Sequence, residues 1–138
     1  MESIVKPYKS INVFISVNKL PIYDSKIMFV RYNNKVGFNE AIDFCKKIGL
    51  NADEYATDDY FKAYGFTVKE RSDLGYIHLL FINNKKDYRE DYLNTLAHEN
   101  YHLVKDICKH HGLEYTESGH DEHIAYLTGY LLNYLSKL

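Results

Sequence analysis

The chain has 138 residues, 46% of them hydrophobic, about one domain's worth and enough to bury a core without disulfide staples, so a single domain over 1–138 is expected. A formal net charge of −2 leaves no broad basic face to neutralise phosphates, which speaks against a nucleic-acid partner. No apolar run has the length of a membrane span, and the opening Met1-Glu2-Ser3-Ile4-Val5-Lys6-Pro7 lacks the apolar core of a signal peptide, so no membrane partner and a cytoplasmic location are expected.

In chain order, residues 11–17 and 26–32 are β-branched and aromatic runs that read as strands, separated by a Pro21-containing connection that suits a loop better than a tight hairpin. Residues 39–48 place Ala41, Ile42, Phe44, Cys45 and Ile48 on one side of a helix, with Asn39 as N-cap and Gly49 as the stop. The acidic and aromatic stretch 51–64 reads as a loop with at most a short helical turn. Residues 66–70 and 75–82 read as a strand pair joined by the polar turn Arg71-Ser72-Asp73.

From residue 91 to 108 the pattern turns helical, with Leu93, Leu96, Ala97, Val104, Ile107 and Cys108 on one stripe. Lys109, His110 and His111 suit the negative end of that helix dipole, and Gly112 is the expected residue beyond its last turn. Residues 121–135 repeat Ile124, Leu127, Leu131 and Leu135 at helical spacing, which predicts a closing helix. Cys45 and Cys108 each fall within a predicted helix and read as buried free thiols of a reducing compartment.

Two strands, a helix, two strands and two helices predict an α+β fold, a small and mostly antiparallel sheet with three main helices packed against it. The strand at 76–82 leads toward the longest helix and is expected to lie beside it as an exposed edge, where an extended peptide adds by main-chain hydrogen bonds.

The chemistry concentrates in His98-Glu99-Asn100-Tyr101-His102. On a helix, residues i and i+4 share a face, so both imidazoles reach one ion, and Glu99, rotated by about 100°, addresses a water beside it. A catalytic zinc takes three protein ligands and leaves a fourth position for water, so a further ligand is needed. His110 and His111 lie two turns beyond His102 and read as surface or capping residues. Glu114 and Glu117 are candidates in the following loop, and the best candidates open the last helix. Among these, Glu122 is followed by Ala125 and Gly129 at spacings that offer a small-residue face for close approach to the motif helix, and His120 and His123 are its rivals. The metal site is thus expected between the last two helices.

The run Leu96-Ala97-His98-Glu99, with His102-Leu103-Val104 and then Asp121-Glu122 and Ala125-Tyr126 about twenty residues on, resembles the gluzincin branch of the HExxH zinc metallopeptidases, whose domain is called zincin. It is most similar to small phage and prophage metallopeptidase-type proteins and, more distantly, to the ImmA/IrrE-type domain. The resemblance covers the C-terminal third. It implies His98, His102 and Glu122 as ligands of Zn2+, Glu99 as general base, and a zincin-like fold.

On that reading the chain hydrolyses peptide bonds of a cytoplasmic protein without a covalent intermediate, and Tyr126, Tyr115 or His120 donates a hydrogen bond to the developing oxyanion. The alternative is a catalytically weak or inactive protein on the same scaffold, phage-encoded by its resemblance, that binds and blocks a host protein.

Overall fold

The computed structural model describes residues 1–21, 23–112 and 122–138. Two short strands, β1 (Glu2–Ser3) and β2 (Tyr8–Lys9), precede β3 (Val13–Lys19) and β4 (Lys26–Tyr32). Helix α1 (Lys35–Lys47) and the single-turn α2 (Asp58–Lys62) follow, then β5 (Gly65–Ser72) and β6 (Gly75–Asn83). A 3-10 turn at Lys86–Asp91 runs directly into α3 (Tyr92–His110), and α4 (Glu122–Ser136) closes the chain.

The strands form one mixed sheet in the order β1-β3-β4-β6-β5, with β2 also on β3. Every pairing is antiparallel except that of β4 with β6, which is parallel and central. The fold is therefore α+β with a mixed sheet. Residues 76–82 do not form the edge expected of them: β6 lies between β4 and β5, and β5 is the outer strand. The physical reason is legible in hindsight. Ile77-His78-Leu79-Leu80-Phe81-Ile82 is apolar but for His78, shows no alternation and is buried throughout, the signature of a strand covered on both faces.

Both faces are indeed covered. Met28, Val30 and Tyr32 of β4, with Ile77, Leu79 and Phe81 of β6, pack against α1 and the segment containing Leu50, Ala52 and Tyr55. Their alternates Ile27, Phe29, Leu80 and Ile82 pack against the stripes of α3 and α4. The helices thus lie on two sides of the sheet and not on one.

Local chemistry sets the boundaries. Helix α1 starts one turn before the expected Asn39, because the Asn34 side chain accepts from the Gly37 backbone N–H at 2.8 Å and caps it there. Gly37 is required inside this helix, since a Cβ would stand 2.0 Å from the Asn12 carbonyl oxygen. At the end of α3, Gly112 takes φ +72°, the left-handed conformation expected after the last turn. Cys45 and Cys108 are free and buried. No helix among the described residues is long and apolar enough to cross a membrane.

Candidate metal centre and cleft

Helix α3 buries Leu96, Asn100, Leu103, Val104, Ile107 and Cys108. With 3.6 residues per turn, the opposite face is that of His98 and His102, and both are exposed. Two residues of the expected apolar stripe, Leu93 (66% exposed) and Ala97, also lie outside the core.

The two imidazoles face each other. His98 Nε2 and His102 Nε2 are 3.2 Å apart, with ring centroids at 4.8 Å and planes inclined by 73°. Two nitrogens bound to one tetrahedral zinc at 2.0–2.1 Å would be about 3.3–3.4 Å apart, so the pair fits two ligand positions with almost no movement. Without an ion the same separation suits a hydrogen bond from one ring to the other.

Glu99 is half-buried on the flank of α3 that meets β5. Burial raises its pKa above the usual carboxylate value, against the opposing pull of His98 and His102. The approach of strand to helix here depends on Gly65, where a Cβ would come within 2.9 Å of the Phe81 carbonyl oxygen and 3.0 Å of Glu99 Cγ and Thr95 Cγ2. Beside that contact lies an open cleft of about 670 Å³, with Ala63, Tyr64 and Gly65 on one wall and α3 on the other. His98 and Glu99 both line it, with Asp91, Asn94 and Thr95 one to two turns earlier on α3. These three stand at −7, −4 and −3 from His98, so helical periodicity alone could have found them. Tyr64 and Gly65 arrive through tertiary packing and carry no such signal.

The expected third ligand is not brought to the pair. Among the described residues, no group of three His, Cys, Asp or Glu side chains is close enough to hold an ion. Among the described residues, no ligand from α4 joins the two histidines, and the helical phase shows which side of α3 that helix meets. Asn100, between the two histidines in sequence, is fully buried and donates through Nδ2 to the Thr128 carbonyl of α4 at 3.0 Å. The residue that faces α4 is therefore Asn100, and the histidines point away from it.

Helix α4 packs through Ile124, Leu127, Leu131 and Leu135, as the pattern predicts. The small-residue face expected to approach α3 does not: Ala125 is exposed, and a Cβ on Gly129 would meet nothing within 4 Å. Glu122 shares that open side with Tyr126, which is 69% exposed, and neither lines the cleft. His123 is half-buried, its Nε2 without a hydrogen-bond partner among the described residues. Glu114, Tyr115, Glu117, His120 and Asp121 lie outside the described residues.

Comparison of the chain with protein-family models, with curated proteins and with solved structures returns no match.

Proposed function

We propose that the chain is a zinc-dependent metallopeptidase of the zincin type acting on a cytoplasmic protein or peptide. The observation that carries this reading is the mutual approach of His98 and His102 at zinc-ligand spacing, with Glu99 beside them on the wall of an open cleft. His98 and His102 would hold the zinc, which would supply Lewis-acid polarisation of the scissile carbonyl and a water of lowered pKa. Glu99 takes the proton of the attacking water and delivers it to the leaving amine. Its half-buried position and raised pKa suit a group that must both accept and return a proton.

Glu122 is the third ligand of this reading by its place in the chain, with His120 and His123 as competitors, and Tyr126 is its oxyanion donor. Loss of zinc affinity in Glu122→Ala, measured beside His120→Ala and His123→Ala, ranks the ligands.

The decisive experiment pairs metal analysis of untagged protein with a peptide-hydrolysis assay. About one zinc per chain is expected in the wild type, and Glu99→Gln should retain it while losing hydrolysis by a factor on the order of 10² or more. A zinc-replete preparation that remains metal-free would end the reading. Full activity in Glu99→Gln would remove the general base from it.

A further inference from the structure

The cleft beside Glu99 has a chemical character of its own. The acidic side chain at its far end is Asp91, and no lysine or arginine is among the residues that line it. Asp91 occupies the N-cap position of α3 yet makes no capping hydrogen bond, its backbone continuing the 3-10 turn at φ −97°, ψ 8° and not taking the extended conformation of a capping residue. Its carboxylate takes part in none of the ion pairs found among the described residues. The fractional positive charge at the start of α3 is about half a unit, so a full carboxylate outweighs it.

The remaining wall is apolar in its middle. The half-exposed Tyr64 ring leans on Tyr88 at 4.7 Å between centroids, and Ala63 and the Thr95 side chain continue the surface. Asp91 lies seven residues, about 10 Å along the helix, from His98. A side chain that enters beside His98 and runs toward Asp91 must be long, apolar along its stem and cationic at its tip.

We infer that this cleft receives a lysine or arginine side chain of the substrate, with Asp91 as the residue that selects it and Tyr64 as the surface its stem covers; the assignment to a substrate rests on the peptidase reading above. A ring beside a cation adds a further attraction. Lys85 does not compete for the cleft, since its ammonium sits over the Phe61 and Tyr88 rings at 4.7 and 5.0 Å.

The test does not require hydrolysis. The full chain is titrated with N-acetyl-lysine methylamide and with its uncharged analogue N-acetyl-norleucine methylamide, following the backbone amide resonances of Tyr64, Asn94 and Thr95. The lysine probe should bind about fivefold more tightly than the norleucine probe, and Asp91→Asn should bring the two within about twofold, the scale of an exposed ion pair. Asp91→Asn is expected to fold, since no capping bond is lost. Discrimination between the probes in a protein that hydrolyses nothing would support the pocket while removing the peptidase reading. Equal binding of the two probes, or discrimination that persists in Asp91→Asn, overturns the pocket whether or not peptides are cleaved.

Discussion

Two groups of histidines meet α3, and their environments are opposite. In the middle of the helix, His98 and His102 are exposed, with their Nε2 atoms 3.2 Å apart. Near its C-terminal end, His78 of β6 is only 2% exposed, and neither of its ring nitrogens has a hydrogen-bond partner among the described residues. The His110 ring stands 5.9 Å from it, while His111 turns to Ser25, with 2.8 Å between Nε2 and Oγ. The contrast teaches that an imidazole is available to a metal only where its lone pair is reachable, and that a second donor on the same face makes a pair of it. Burial alone makes a histidine inert and neutral.

The strongest way to break this comparison is to ask which group zinc needs. His98→Ala and His102→Ala should each weaken zinc binding by a factor on the order of 10² or more, and His78→Phe should leave it within about twofold, measured by competition with a chromophoric chelator. If His78→Phe abolished binding as well, the two groups would not be independent.

Next in size is the response to acid. Burial first, then the charges of His110, Lys69 and His111, lower the His78 pKa from 6.5 to about 4. Above pH 6.5 the imidazole is largely neutral in both folded and unfolded chains and adds no pH dependence. Between 6.5 and 4 the unfolded chain alone takes the proton, so stability falls as the pH falls, by up to about 1.4 kcal/mol per unit. The loss levels off below pH 4, at no more than about 3.4 kcal/mol. Denaturant titrations of His78→Phe should show a shallower decline over that window than the wild type. An unchanged slope would mean that His78 is solvated when the protein is folded.

How much of this was legible in the sequence follows from the range of the forces involved. The helical stripes of α1, α3 and α4 are local patterns, and the residues at Ile124, Leu127, Leu131 and Leu135 are buried as their spacing predicts. The single turn of α2 within 51–64 and the glycine after α3 are equally local. The position of β6 in the sheet is not, because strand order depends on which runs can be covered on both sides. The mutual facing of His98 and His102 follows from the i, i+4 rule alone. Which side of α3 meets α4 required the phase of the whole buried stripe, and a polar residue, Asn100, sits in the middle of it. A hydrophobic pattern passes over such a residue.

Asn100 gives the third prediction. It shares a five-residue motif with the histidines yet lies on the other side of the helix, bonded to the Thr128 carbonyl while the Thr128 hydroxyl donates to the Ile124 carbonyl at 2.6 Å. Asn100→Ala should therefore lower the unfolding free energy by about 2 kcal/mol through the lost buried bond and the space left behind, with zinc affinity unchanged. A variant of wild-type stability that binds zinc poorly would place Asn100 on the metal side and invert the comparison.

The smallest effect is expected at Gly65, and it sharpens the comparison on the cleft side of α3. An added methyl meets the Phe81 carbonyl oxygen at 2.9 Å, closer than real Cβ contacts allow, and Glu99 Cγ at 3.0 Å, tighter than most of them. Two terms then oppose each other. Crowding of a packed contact costs about 1–3 kcal/mol. Replacing glycine by alanine returns about 0.4–1 kcal/mol by restricting the unfolded chain, provided the backbone accepts the side chain. The Glu99 side chain can yield, whereas the strand carbonyl on the other side cannot move without straining its pairing. The net should be a destabilisation of about 1 kcal/mol in Gly65→Ala, accompanied by displacement of Glu99 from the cleft wall. The zinc binding proposed for His98 and His102, neither of which is among the atoms the added methyl meets, should persist while hydrolysis drops several-fold. Equal losses of zinc binding and hydrolysis would show that the strand contact holds the histidines too, and that the two flanks of α3 do not act separately.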